Sequence, residues 1–328
     1  MTRLSAPKHR LPDPPTPAKI RTSANPPQWA VGGALVVLWL TTGANFLGFR
    51  IAVESWPPFL MVGARLLLAG FLMLPIAWIC RQWTWPSRRQ IVAILRSALL
   101  LLVLGQGALV WAVQTLPAGT TAMLSAAVPL WIAILGLFLF GERIGLRARM
   151  GLALGFAGLA LLALSASGGE EKFDFIAAGV MVAGTIAWAL GALLDGRNKD
   201  EGNPVLAVAL QMLVAGLVLS AIAFVAGEFS TFSIGAMSAR AWFAFAYLVV
   251  IGSIIGFGSF IWVNHNTPAT VASSFNYVSP VVALVLSAWL LDEAITPAKV
   301  AAGITALIGV ALMIYGSGEQ RRKNLSQR

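Results

Sequence analysis

A chain of 328 residues that is 58% hydrophobic and only 11% charged lies far from the soluble-globular norm of about 25% charged, which leaves no room for a soluble extramembrane domain. The formal charge of +10 is spread over tails and alternate loops without an aromatic-interleaved patch. That excludes nucleic acid as the expected partner and makes the lipid bilayer the expected one. A single cysteine, Cys80, rules out a disulfide within the chain and a multi-cysteine metal site, and no cofactor is expected.

Residues 1–28 are rich in proline and basic side chains (Arg3, Lys8, Arg10, Lys19, Arg21) and lead into a full-length apolar span. They read as a disordered cytoplasmic tail rather than a cleavable signal peptide, which would carry a shorter apolar region and a small-residue cleavage site. Spans of roughly 20 apolar residues follow. Ten are predicted, at 30–49, 59–80, 91–113, 118–140, 147–166, 175–195, 204–226, 239–263, 269–291 and 298–316. The runs are long and continuous, which argues for helices and against the alternating blocks of a β-barrel. Pro57-Pro58, Pro86, Pro117, Pro204, Pro268 and Pro297 fall at or just before span starts, where a missing amide hydrogen costs little. Residues 317–328, with Arg321, Arg322, Lys323 and Arg328, read as a basic cytoplasmic tail.

Basic residues give the orientation. The two tails and the loops after even-numbered spans hold 17 Lys and Arg, against four (Arg50, Lys172, Arg240, Lys299) in the opposite loops. The bias puts both termini in the cytoplasm. It weakens in the second half, where the loop after span 8 has no Lys or Arg.

The chain also repeats. Trp111, Pro117, Pro129, Glu142 and Gly158 return as Trp262, Pro268, Pro280, Glu293 and Gly309, each 151 residues later. Pro58, Arg65 and Ala69-Gly70 correspond to Pro204, Gln211 and Ala215-Gly216 at an offset of 146. Spans 1–5 (residues 29–168) therefore match spans 6–10 (residues 169–316). Five is odd, so the second copy enters the membrane upside down. The predicted fold class is an all-α membrane protein of ten helices in two inverted five-helix repeats, an architecture suited to alternating access with the substrate site between the repeats.

Gly43-Ala44-Asn45-Phe46, Pro58 and Arg65 resemble the first two helices of the EamA-type drug/metabolite transporters. So do Pro129 with Gly141-Glu142-Arg143-Ile144 and Gly158, and Pro280 with Asp292-Glu293-Ala294 and Gly309. The resemblance runs over residues 30 to 316 and is carried by order, spacing and duplication rather than by one motif. It implies export of small metabolites across a bacterial inner membrane, and the general look is nearest to exporters of amino acids, including aromatic ones. One position departs: the family often has Trp just before the glycine of span 1, where this chain has Thr42, while the partner position keeps Trp188.

Arg65 is the sharpest site candidate. A lipid-facing cation would cost about 2.5–3.5 kcal/mol, so it is expected to face the bundle or a wet cavity. There it could take a substrate carboxylate in a two-pronged hydrogen bond, or serve only to bind backbone carbonyls or Glu54. Arg96, nearer a helix end, is expected to snorkel to the interface. Pro129 and Pro280, central in spans 4 and 9, are expected hinges or kinks that shape the site. Small polar residues converge in the same spans: Asn45, Gln106, Ser125, Gln211, Asn276, Tyr277 and Ser279. Several are expected in the cavity, with interhelical hydrogen bonding the blander role. Trp111, Trp188 and Tyr247 are candidates for packing an apolar substrate side chain. Glu142 and Glu293, which close spans 4 and 9, are expected to fix those turns by accepting backbone amides or by pairing with Arg143 or Arg147.

No Asp or Glu occupies the centre of a span, where a proton relay would keep one. The expected activity is therefore facilitated export of small metabolites, amino acids first, with broad specificity. Proton-coupled efflux of drugs or cations, resting on Asp195 or Glu54, is the alternative. A membrane-embedded enzyme is disfavoured by two histidines, His9 and His265, with no metal spacing or Ser-His pairing. A scaffold without flux would have no need of paired central prolines. Glycines 151, 155 and 158 in span 5, and 303 and 309 in span 10, permit close helix packing, within a monomer or across a homodimer.

Overall fold

The computed structural model of the protein describes residues 27–79, 85–141, 145–167, 174–195, 204–266, 275–293 and 295–326. Every regular element among them is helical, as lipid requires of backbone groups that can find no water. In chain order they are α1 (Gln28–Ala52), α2 (Pro58–Ile79), α3 (Arg88–Ala112), α4 (Ala118–Ser125 and Val128–Phe140) and α5 (Leu146–Ser167). The second repeat runs α6 (Phe175–Asp195), α7 (Pro204–Val225), α8 (Ala239–Tyr247, Leu248–Ile255 and Gly256–Asn266), α9 (Phe275–Leu291) and α10 (Pro297–Ser326). Seven of the described helices are long and apolar enough to cross a bilayer. The bounds follow the predicted spans closely, with two differences. α10 continues to Ser326 through the stretch expected to be a tail, and α4 is interrupted.

Local chemistry sets these ends. Ser87 and Gln90 close a reciprocal capping box at the start of α3, with Ser87 Oγ accepting from Gln90 N at 3.3 Å and Gln90 Oε1 from Ser87 N at 2.7 Å. That arrangement satisfies two of the orphan donors every helix start leaves. Ser238 Oγ likewise accepts from Ala241 N at 3.1 Å as α8 begins. At the end of α4, Gly141 takes a left-handed φ of 64°, where a Cβ would be strained.

Helices pair across the repeats: α2 with α7, α5 with α10, α1 with α8 and α9, and α6 with α3 and α4. These are the pairings that exchange under a two-fold swap of the halves. Small residues allow the closest approaches. A Cβ on Gly158 of α5 would stand 2.5 Å from Ala306 N of α10, and one on Gly309 would overlap Gly155. The glycines of spans 5 and 10 thus pack within the bundle. The largest apolar cluster joins α1, α2, α3, α7 and α8, with Met61, Leu66, Leu219 and Leu248 sealed inside. A second joins α3, α4, α6 and α10 around Leu116 and Met181. Phe71, Trp78, Phe138, Phe224, Phe243 and Trp289 are exposed on the outside, an apolar surface far too extensive for water and the right one for lipid.

Three departures from regular α-helix occur inside the spans. In α3 the stretch Ala98–Gln106 is π-helical, and in α8 so is Leu248–Ile255. Such wide turns mark functional positions in many helices. In α4, Ala126 and Ala127 form a tight turn between two helices, their amides bonding Met123 O and Leu124 O at 3.1 Å each. Pro129 is buried at the second residue of the helix that follows. It therefore starts a half-helix rather than kinking a continuous one, and it has no amide hydrogen to give the Ser125 carbonyl. Its counterpart Pro280 is buried inside α9 and deprives the Asn276 carbonyl in the same way.

Candidate functional site

Where the two repeats meet, a cavity of about 830 Å³, its open mouth included, is enclosed by α1, α2, α3, α4, α6 and α9. Its wall is mostly apolar, with Phe46, Phe49 and Trp188 as the large faces. Polar groups come from Thr42, Asn45, Arg65, Gln106, Ser125, Thr185 and Ser279.

Arg65 reaches this cavity from the first half of α2 and is 3% exposed. Its Nε donates to Leu248 O at 3.2 Å and to Ser253 Oγ at 3.0 Å, while Nη1 donates to Gln106 Oε1 at 3.2 Å. Its guanidinium carbon lies 4.8 Å from the centre of the Phe49 ring, a stacking attraction that holds the plane in place. Every acceptor is neutral, and among the described residues Arg65 makes no ion pair. The Glu54 pairing considered from sequence does not form. A guanidinium has five N–H groups; those on Nη2 have no protein partner among the described residues, and that atom is not sealed from the cavity. The Nη1–Nη2 edge therefore remains available for an incoming pair of oxygens.

Both π-helical stretches build this arrangement. In α8 the wide turn leaves Leu248 O to accept from Ser253 Oγ at 2.9 Å as well as from Arg65. Gly252 beside it gives way to Asn45, whose Oδ1 is buried with no partner among the described residues. In α3 the corresponding turn presents Gln106 to Arg65, and Gly105 gives way to Trp188, whose Cε3 would be 2.8 Å from a Cβ there.

Asn45, Arg65, Gln106, Ser125 and Trp188 are thus brought together, as are Ser279 and Pro280. Pro129 is not in the wall, although Ser125, Ala126 and Val128 around its break are. Trp111 packs against the second apolar cluster. It follows the cavity-lining Leu109 by two residues, about 200° round the helix. Gln211 is half-buried on α7 and outside the lining. Tyr247 also lies outside it, its ring beside Gly48 and its hydroxyl donating to Thr41 O at 3.4 Å. Asn276 and Tyr277 stand in the first turn of α9, with side chains outside those described, as is that of His265; Glu142 lies outside the described residues. Sequence reasoning missed Ser253, Phe46, Phe49 and Thr185. The available signal was a glycine followed at once by a polar residue deep in the third span of each repeat, Gly105-Gln106 and Gly252-Ser253.

One end of the bundle is tied by loops. Glu228 accepts from Phe59 N and Leu60 N at 3.3 and 2.7 Å, capping α2. Glu293 accepts from Ala118 N and Gly119 N at 2.8 and 3.3 Å, capping α4. The sequence predicts that Glu293 fixes a turn in its own repeat; it reaches the other because these helix starts present unpaired amides. Arg50 donates to the carbonyls of Val113 (2.9 Å) and Gln114, and Arg240 to Leu290 O at 3.3 Å. Asp174 caps α6 through Ile176 N and Ala177 N, at 3.0 and 2.9 Å, and accepts from Thr115 Oγ1 at 2.9 Å. The Ala177 amide and then the Thr115 hydroxyl hold its carboxyl below the ordinary 3.8. At the other end Arg96 does not snorkel free. It pairs with Asp195 at 3.1 Å, and Ser97 Oγ donates to both oxygens of the same carboxylate.

An EamA-like transporter family model matches residues 29–164 and 175–315, one copy for each repeat. The chain belongs to the EamA-like transporter family. It is a multi-pass membrane transporter and not an enzyme. It is 33% identical over 289 residues to an uncharacterized inner membrane transporter, YedA, of Escherichia coli (strain K12), covering 87% of this chain and 90% of that one. A probable amino-acid metabolite efflux pump of Salmonella typhimurium is 23% identical, covering 89% and 96%. A solved crystal structure, 17% identical, superposes with a TM-score of 0.61 over 88% of this chain and 98% of the other, which speaks to the fold alone.

Proposed function

We propose that the protein exports small zwitterionic or neutral metabolites, amino acids first and aromatic ones included, from the cytoplasm across a bacterial inner membrane by alternating access. The observation that carries this reading is Arg65. It is a buried cation in the cavity between inverted repeats, held by neutral acceptors with one hydrogen-bonding edge unfilled. A carboxylate fills such an edge in bidentate fashion. Phe46, Phe49 and Trp188 supply a wall for an apolar side chain. The naming of two relatives as probable amino-acid metabolite efflux pumps points the same way.

The bias of basic residues places both termini in the cytoplasm, so the end closed by Glu228 and Glu293 is the periplasmic one. Transport is facilitative on this reading, which is supported by a cavity wall with no Asp, Glu or His among its described residues. Proton-coupled efflux of cations would need Asp195, which is engaged by Arg96 and Ser97 at a helix end instead.

The test is uptake of labelled phenylalanine, threonine and methionine into proteoliposomes, with and without an imposed pH gradient. Saturable uptake indifferent to the gradient, and lost in Arg65→Ala, is the expected result. Transport of none of the three sinks the amino acid reading; dependence on the gradient overturns the facilitative one.

A further inference from the structure

We infer that the cavity favours a substrate of one net negative charge, a carboxylate without an ammonium, over the zwitterion of the same skeleton. This rests on the reading that the cavity is the transport site and that Arg65 receives the carboxylate. The argument is one of charge balance. The Arg65 guanidinium stays protonated under all conditions a cell meets, and its partners Leu248 O, Ser253 Oγ and Gln106 Oε1 carry no charge. Among the described residues of the cavity wall none is Asp, Glu, His or Lys. Buried charges are normally paired, and within this wall the ligand is what can pair this one.

Three ligand classes then separate. A monocarboxylate brings the site to neutrality. A zwitterion satisfies Arg65 but must also desolvate an ammonium, for which the described wall offers the hydroxyls of Thr42, Ser125, Thr185 and Ser279. These are dipoles, and none neutralises a charge. An organic cation adds a second positive charge to a site that already holds one, and is refused.

The same balance supplies an energy source. A carrier that moves one negative charge outward works with an inside-negative membrane potential. Each 100 mV is then worth about a 50-fold concentration ratio. Net anion export therefore needs no proton relay, which accounts for a set of spans without a central acid.

The experiment compares three phenyl-bearing probes on the purified full-length protein at pH 7: N-acetylphenylalanine, phenylalanine and phenethyltrimethylammonium. Affinity is measured by calorimetry in detergent. Uptake is measured in proteoliposomes under potassium diffusion potentials of either sign. The expected result is a Kd about 10-fold or more lower for N-acetylphenylalanine than for phenylalanine, no binding of the ammonium compound, and anion uptake that rises when the lumen is positive. In Arg65→Gln the ratio between anion and zwitterion should fall to about one; if that variant does not fold, the wild-type ratio decides alone. Phenylalanine binding as tightly as the anion or tighter overturns this inference and leaves the amino acid reading standing. Binding of the ammonium compound, or of none of the three, overturns both.

Discussion

In α3 the π-helical stretch sets Gly105 against Trp188 and hands Gln106 to Arg65; in α8 its counterpart sets Gly252 against Asn45 and hands Ser253 to the same Arg65. Each wide turn thus places one glycine against the first helix of the opposite repeat and one polar side chain against a single cation. The backbone has kept the two-fold relation, and the side chains have not. Across the offset of 146 Arg65 corresponds to Gln211 and Thr42 to Trp188; Arg65 lines the cavity where Gln211 does not, and Trp188 gives it a broad aromatic face where Thr42 gives a short polar one. The duplication is kept in the backbone, whereas the one cavity carries an asymmetric set of contacts.

Removing the cation should have the largest effect on that asymmetry. Arg65→Gln keeps a hydrogen-bonding amide and deletes the charge. Loss of a charge-assisted bond predicts a fall of about 100-fold in transport efficiency. Gln211→Ala, at the symmetric position outside the cavity wall, should change it less than about twofold. Equal losses at the two sites, measured by initial uptake rates, would mean that the site samples both repeats alike.

The aromatic pair should give a smaller contrast. Trp188 stands over Gly105 and contributes a broad face to the wall. Trp188→Ala should weaken phenyl-bearing substrates by about 10-fold and small ones such as threonine much less. Thr42 also lines the cavity, but with a short side chain, and Thr42→Ala should cost about twofold or less. A common loss for phenylalanine and threonine would assign Trp188 to packing rather than to substrate.

How far the sequence carried the reading follows from which physical signals are local. The ten spans, their inversion and the convergence of Arg65, Gln106, Ser125 and Trp188 were legible because apolar run length and repeat offset are written along one strand of text. Pro129 announced a break in α4, although as the start of a half-helix rather than a bend. The π-turns were not legible, because a one-residue widening leaves hydropathy unchanged. With them went Ser253, whose role depends on facing α2 from nearly two hundred residues away. Trp111 was attractive by residue type yet points away from the cavity, since helical phase is decided by which neighbour packs where. Arg96 looked like an interfacial cation because its partner Asp195 is three spans distant in sequence.

The two carboxylate caps offer a third contrast, between α2 and α4 at the closed end. Glu293→Gln weakens the acceptor for Ala118 N and Gly119 N, and Glu228→Gln does the same for Phe59 N and Leu60 N. A helix cap is worth about 1 kcal/mol, so amide hydrogen exchange should speed up by about fivefold at the helix start concerned and nowhere else. If Glu293→Gln loosened both starts together, the closed end would open as one cooperative unit.

The smallest effect separates the first helices of the two repeats. α1 begins after Pro27 with no side-chain cap, while α6 begins with Asp174 bonding two of its amides and the Thr115 hydroxyl. Those donors favour the charged form, so the folded protein holds this carboxyl below its ordinary value of 3.8. A depressed value makes the tie a stabilising one that is complete above pH 3.8 and is lost as pH falls through the lower folded value. A carboxyl-carbon NMR titration in micelles should therefore find the Asp174 midpoint below 3.8. Thr115→Val should raise it part of the way, because the Ala177 amide remains. A midpoint at or above 3.8 would mean that the tie between α3 and α6 at the closed end is absent in solution, leaving the Glu228 and Glu293 caps and the Arg50 and Arg240 contacts to hold that end without it.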